Sequence, residues 1–113
     1  MKGLGVREIF TAESGEDALE KLATYGQGEL DVVISDIEMP DMDGYELSRQ
    51  IRYGTVPQHQ GIALVILTGH HTDENILHAR THKIDSLVAK PPSIAVLRLE
   101  IEEALKRAAA RNA

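Results

Sequence analysis

Residues 31–44 read DVVISDIEMPDMDG, and this stretch decides the fold. Its apolar run carries one carboxylate, Asp36, out of a core and into a turn, as the end of a strand does. Short apolar runs of this kind alternate with helix-forming patterns along the chain, which is typical of a parallel sheet covered by helices on both faces. The sequence therefore predicts an α/β fold of the doubly wound class.

Four strands and four helices are predicted around this stretch. The apolar run 62–67 is expected to lie near the centre of the sheet, because it is apolar on both alternating faces. Ser14 is expected to cap the first helix. The predicted strands span residues 7–12, 31–35, 62–67 and 86–89, and the predicted helices begin after Ser14, span 44–52 and 73–82, and begin at Ser93.

Composition limits the function classes. The chain has 113 residues, 42% of them hydrophobic, which suits one small domain with a single core. A net charge of −6 argues against a nucleic-acid surface, and the absence of cysteine excludes disulfides and thiolate metal sites. No apolar run approaches the roughly 18 residues of a membrane span, and no signal-peptide core follows Met1. We expect a cytoplasmic protein that does not bind membranes.

Three predicted strand ends carry polar side chains that suit one site. They are Asp36, Thr68 and Lys90, a carboxylate, a hydroxyl and an ammonium group. In open α/β sheets ligands bind outside the carboxyl ends of the strands. Any one of these residues alone is more often a turn former, a cap or a solvated charge. The three together favour a functional site.

The motifs around these residues resemble the receiver domain of two-component response regulators. The predicted strand that leads to Asp36 is followed by Met39-Pro40 and Asp43-Gly44, and the next strand ends at Leu67-Thr68-Gly69. The last strand ends at Val88-Ala89-Lys90-Pro91. The resemblance implies a flavodoxin-like parallel sheet and a receiver domain that spans residues 1–113.

The same resemblance implies phosphoryl transfer to Asp36. A histidine kinase or phosphotransfer protein would donate the group, and Asp36 would form an acyl phosphate whose oxygens Thr68 and Lys90 hold. Such a domain is a phosphoacceptor in a phosphorelay and not itself an enzyme. The turn residues that follow the strands are interpreted as structural; they are Pro40, Gly44 and Pro91.

The resemblance is incomplete at the amino terminus. Family receivers begin with a further strand and helix, which supply an acidic pair that helps to bind Mg²⁺, and nothing ahead of residues 3–7 matches them. We therefore expect an amino-terminally truncated fold. Asp36 and the backbone carbonyl of Glu38 are the Mg²⁺ ligands that remain, and two contacts should hold this octahedral ion only weakly. Phosphorylation is expected to be impaired.

Loss of a central strand would also affect assembly. In the family order 2-1-3-4-5, it would leave a gap of about 9.6 Å, or two strand spacings, between the strands at residues 9–10 and 32–34. Bare strand edges favour a homodimer or an exchanged assembly. Alternatively, the first two strands pair directly, and a monomer survives with a distorted acceptor pocket.

Three further features leave alternatives open. Leu87 stands where many receivers carry an aromatic residue that reports the switch, and a leucine there is expected in the core. His78 and His82, near His70 and His71, have a spacing that can chelate zinc, although no third ligand is evident and a solvated helix face is the more common case. The second candidate function is a phosphorylation-independent interaction or dimerisation module. A nucleotide-binding domain is a poor alternative. Gly3 and Gly5 begin a G-x-G pattern, but Glu8 stands where the third glycine of a dinucleotide-binding motif would be.

Overall fold

A computed structural model describes residues 9–12, 14–26, 29–39 and 42–113, with residues 9–12 described by their backbone alone. All eight predicted strands and helices are present, with ends that differ by one or two residues. Residues 7 and 8 of the first predicted strand lie outside the described residues. The strands are β1 Ile9–Ala12, β2 Val32–Asp36, β3 Ala63–Thr68 and β4 Ser86–Ala89, and the helices are α1 Gly15–Leu22, α2 Gly44–Arg52, α3 Asp73–Thr81 and α4 Ile94–Arg111, with a short 3₁₀ turn at Pro57–His59.

The four described strands form one parallel sheet in the order β1-β2-β3-β4. Thr11 pairs with Ile34, so that β1 lies directly beside β2. The prediction of a gap between these two strands is therefore wrong, and the alternative, direct pairing of the two strands, is observed. The physical reason is that backbone N–H and C=O groups at a strand edge need partners, and the nearest strand supplies them.

Helices cover both faces of the sheet. Successive strand residues point to opposite faces, so Val32 and Val33 enter different cores. On one face, Val32 packs with residues of α4; on the other, Val33 packs with residues of α1 and α2. Ile66 of β3 packs with Ala79 of α3 in a smaller cluster. The α4 contributors are Ile101, Ala104 and Ala108, and the α1 and α2 contributors are Ala18, Leu22, Leu47 and Ile51.

Side-chain caps fix where the helices begin. The predicted cap Ser14 accepts a hydrogen bond of 3.1 Å from the Asp17 N–H. The Asp43 side chain accepts a hydrogen bond of 2.8 Å from the Glu46 N–H and so caps the start of α2. Such caps satisfy backbone donors that have no partner within the helix. Thr72 and Ser93 cap α3 and α4 in the same way.

A buried ion cluster joins α2, α4 and the loop before β4. The Asp85 side chain is 2% exposed and accepts hydrogen bonds from Arg52, at 3.0 Å, and from Arg111. It also accepts a 2.8 Å bond from the Leu64 backbone N–H. Burial lowers the pKa of Arg52 to about 10, with the nearby Arg111 charge acting in the same direction. Asp85 therefore compensates two arginines whose charges are costly to bury.

Candidate functional site

Asp36 and Lys90 meet at the carboxyl edge of the sheet. Asp36 is the last residue of β2, and Lys90 follows β4, on the other side of β3. The Lys90 Nζ atom lies 3.1 Å from Asp36 Oδ1, with the two side chains 38% and 44% exposed. An ion pair this open to water adds little stability. It does leave the Asp36 carboxylate accessible beside a fixed positive charge.

Thr68 lies between these two residues in the order of strand ends. Its side chain is buried, and its Oγ1 atom accepts a 3.0 Å hydrogen bond from the His70 N–H. The Thr68 carbonyl accepts a 2.8 Å bond from the Lys90 N–H, so the end of β3 holds the backbone of Lys90. With its acceptor oxygen occupied, the Thr68 hydroxyl keeps a proton that it can donate to a ligand.

Gly44 allows the turn after Asp36 to close. The Gly44 N–H donates a 2.7 Å hydrogen bond to the Ile37 carbonyl. A Cβ atom at this position would lie 2.8 Å from the Asp36 carbonyl oxygen and 3.0 Å from Ile37 Cα, both of them backbone atoms. The requirement for glycine is thus a close approach of two backbone segments. Pro40 lies outside the described residues, and Pro91 is exposed immediately after Lys90.

Leu87 is half-buried and packs against a cluster that includes Tyr45 and Ile66. The leucine was predicted to lie in the core, and it lies at the core's margin, where it contributes apolar contact. The backbone carbonyl of Leu87 lies 3.0 Å from His71 Nε2. The loop after Thr68 therefore reaches the outer edge of β4 through a histidine.

The described residues do not by themselves fit a magnesium site. Mg²⁺ takes about six oxygen ligands in near-octahedral geometry. Among the described residues, no group of three or more His, Cys, Asp or Glu side chains could hold a metal ion. Glu38 is exposed, and Asp36 already contacts the ammonium group of Lys90. One carboxylate with a neighbouring cation is a weak attraction for a divalent ion.

His78 and His82 lie side by side at the carboxyl-terminal end of α3. Their Nε2 atoms are 3.0 Å apart, and the Tyr45 ring lies 4.1 Å from the His78 ring and 5.6 Å from the His82 ring, between centroids. Burial lowers the pKa of His82, and the neighbouring His78 lowers it further. Burial and the nearby Asp43 charge raise the pKa of Tyr45.

His59 and Asp85 are buried polar residues that sequence reasoning missed. His59, in the 3₁₀ turn, is 3% exposed, and its Nε2 atom lies 3.1 Å from the Leu22 carbonyl and 3.0 Å from the Tyr25 carbonyl. Asp85 was the other, at the centre of the ion cluster. The one signal for Asp85 in the sequence was a carboxylate between the apolar Ile84 and the strand that begins at Ser86, which is an uncommon place for an unpaired charge.

Comparison with known proteins assigns the chain to a family. The response regulator receiver domain family matches residues 1–102. The chain is 37% identical over 109 residues to the virulence sensor protein BvgS of Bordetella pertussis, a match that covers 94% of this chain and 8% of that protein. It is 32% identical over 104 residues to hybrid signal transduction histidine kinase L of Dictyostelium discoideum, covering 88% of this chain and 6% of that protein.

Solved structures agree with this assignment. A response regulator receiver domain protein from Clostridium thermocellum has a TM-score of 0.73 and 29% identity, over 92% of this chain and 79% of that one. The signal receiver domain of a histidine kinase from Syntrophus aciditrophicus has a TM-score of 0.67 and 26% identity, over 84% and 68% of the two chains. The chain belongs to the response regulator receiver domain family of two-component signalling.

Members of the receiver family share partners and a metal ion. Receiver domains interact with histidine kinases or phosphotransfer proteins and generally bind Mg²⁺ at the phosphorylation site. The chain spans only about 8% of the length of the BvgS proteins that it matches. Each helix in the described part of the chain is too short or too polar to span a lipid bilayer.

Proposed function

We propose that Asp36 accepts a phosphoryl group from the phosphohistidine of a histidine kinase or phosphotransfer protein. A carboxylate oxygen of Asp36 forms a bond to phosphorus as the phosphorus–nitrogen bond of the donor breaks, and the imidazole leaves with its electron pair and takes up a proton. The observation that carries the proposal is the 3.1 Å contact between Lys90 Nζ and Asp36 Oδ1. Receiver-family membership supports the same reaction.

Lys90 and Thr68 have separate roles in this proposal. The ammonium group of Lys90 turns from the free carboxylate to an oxygen of the transferred group, where it offsets the negative charge that arrives with it. The Thr68 hydroxyl donates a hydrogen bond to another phosphoryl oxygen while the His70 N–H keeps its own bond to Thr68 Oγ1. The chain positions the transferred group and offsets its charge. Because its own Asp36 carboxylate becomes phosphorylated, it acts as a phosphoacceptor and not as an enzyme.

The transfer is proposed to be impaired in this chain when it acts alone. Mg²⁺ supplies charge neutralisation at the phosphorylation site of receivers, and the described residues offer it too few ligands. A phosphodonor that brings its own contacts, or a second chain, can supply what is missing. We propose a cytoplasmic setting without direct nucleic-acid binding, in keeping with the net charge of −6.

Intact-mass measurement after incubation with acetyl phosphate and Mg²⁺ tests the acceptor. We expect a single phosphoryl adduct that forms slowly on the unsubstituted chain, because Mg²⁺ is poorly held, and none on Asp36→Asn. Asp73→Asn, at the exposed start of α3, is the matched control and should be labelled like the unsubstituted chain. An adduct that persists in Asp36→Asn, or its absence from a chain shown by circular dichroism to be folded, contradicts the proposal.

The second candidate function is a phosphorylation-independent dimerisation module. Two observations favour it. Among the described residues no group of three or more His, Cys, Asp or Glu side chains could hold a metal ion, and β1 lies at one edge of the described sheet. An edge strand offers unpaired backbone groups to a second copy. Light scattering at micromolar concentration tests it: a dimer mass supports an assembly between copies, and a monomer at all concentrations rejects it.

A further inference from the structure

His78 and His82 form a pair of imidazole rings whose geometry indicates a role independent of phosphoryl transfer. His78 lies in the last turn of α3 and His82 directly follows that helix, and their rings are 4.7 Å apart between centroids at an angle of 59°. The two Nε2 atoms approach to 3.0 Å. The Nε2 atom of a neutral imidazole presents a lone pair when the proton is on Nδ1, so the two facing nitrogens are both potential metal ligands.

This separation matches the span of a chelated ion. Two nitrogens bound at about 2.0–2.1 Å to one ion lie about 2.8 to 3.4 Å apart for bond angles between about 90° and 109°. The observed 3.0 Å falls within that span. An ion could therefore replace the hydrogen bond between the two rings once each Nε2 atom presents its lone pair to it.

The surroundings hold the two rings in place. The Tyr45 ring of α2 packs against both of them at a tilt, and its hydroxyl donates to Asn75 Oδ1 at 3.2 Å, which fixes the aromatic ring against α3. Preorganised ligands lose less conformational entropy when they bind. The spacing in sequence alone gave no information about Tyr45, because it lies on a different helix.

The local charge also favours a cation. Asp43 and Glu46 lie close enough to His82 to act on its charge, and Arg49, which opposes them, is engaged by Glu46 at 2.8 Å. Of these three charges around His82, one negative charge is left uncompensated, and it attracts a divalent ion. Imidazole nitrogen suits Zn²⁺, Ni²⁺ and Cu²⁺, whereas Mg²⁺ prefers oxygen.

We propose that His78 and His82 form a two-histidine site for a borderline divalent transition metal, with Zn²⁺ as its representative. Within the described ranges no third His, Cys, Asp or Glu side chain completes a cluster, so water or a group from another molecule fills the remaining positions. The site is distinct from the Asp36 and Lys90 pair. It would clamp the last turn of α3 at the point where α3 meets α2.

Titration calorimetry of the intact chain with ZnCl₂ tests the site. We expect one Zn²⁺ per chain, an affinity about tenfold or more lower in His78→Gln/His82→Gln, and no competition from an excess of Mg²⁺. His70→Gln/His71→Gln is the matched control, because it also removes two neighbouring histidines and should bind Zn²⁺ like the unsubstituted chain.

A second measurement reports the place of binding. In proton NMR spectra of the folded chain, Zn²⁺ should shift the ring signals of His78 and His82 and, through ring stacking, those of Tyr45. Equal Zn²⁺ affinity in the His78→Gln/His82→Gln variant, equal loss in the control, or no binding to the unsubstituted chain overturns the proposal. None of these results depends on whether Asp36 is phosphorylated, so failure here and failure of the proposed function are distinguishable.

Discussion

Lys90 Nζ lies 3.1 Å from Oδ1 of Asp36, although 53 residues of sequence separate them and β3 lies between their strands. The contact exists because parallel strands bring their carboxyl ends to one edge of the sheet. It persists with β1 paired directly to β2, the arrangement for which a distorted acceptor pocket was predicted.

Lys90→Ala should slow phosphorylation of Asp36 by about 100-fold, because it removes one preorganised charge from the transferring group. The rate of adduct formation with acetyl phosphate, followed by intact mass, measures the effect. Lys106→Ala is the control, since Lys106 is exposed on α4 and pairs only loosely with Glu103, at 3.7 Å. A rate in Lys90→Ala equal to that of the control would show that Lys90 has no part in the transfer.

Asp85→Ala should destabilise the fold by about 3 kcal/mol, because it leaves Arg52 and Arg111 without their buried counter-charge. It also removes the acceptor for the Leu64 N–H. Urea unfolding followed by circular dichroism measures the change in the free energy of unfolding. Glu103→Ala removes a carboxylate from an exposed pair and should change that free energy by less than about 1 kcal/mol. Similar losses in the two variants would contradict the importance of the buried cluster.

Gly44→Ala should cost about 1–3 kcal/mol, because its Cβ would meet the backbone of Asp36 and Ile37. Gly69→Ala is a matched control at the end of the next strand, where a Cβ would have no heavy atom within 4 Å. Thermal unfolding of both variants compares them directly. If Gly44→Ala unfolds at the same temperature as Gly69→Ala, the turn can relax and the close approach does not require glycine.

Glu46 should titrate far below a free glutamate. Its hydrogen bond from Arg49 lowers its pKa from 4.5 to about 2, so the folded chain binds this proton less readily than the unfolded chain. The stabilising effect of ionised Glu46 is therefore fully present above pH 4.5 and is lost as the pH falls toward 2. Carboxyl carbon shifts in an NMR titration give the pKa.

The same titration at high salt is the control, because Glu46 is exposed and salt screens the charge of Arg49. We expect the pKa to move upward there. The stability difference between the unsubstituted chain and Glu46→Gln should shrink over the same acidic range. A midpoint near 4.5 at low salt would show that the pair with Arg49 does not form in solution.

Much of the candidate site could be predicted from the sequence. Asp36, Thr68 and Lys90 each follow an apolar run, and strand ends can be recognised from a local change in hydropathy. Ser14 could be predicted as a cap for the same local reason. The buried roles of His59 and Asp85 could not, because their partners lie 21 to 37 residues away along the chain.

The sequence by itself determined which residues form strands and helices, which polar groups stand at strand ends, and which family the motifs resemble. These properties depend on side-chain periodicity and on turn chemistry within a few residues. Only the tertiary structure decided that β1 pairs with β2 and that Tyr45 orients the two histidines. Strand order and contacts between helices arise from competition among distant segments for the same backbone partners and apolar surface, which no local pattern records.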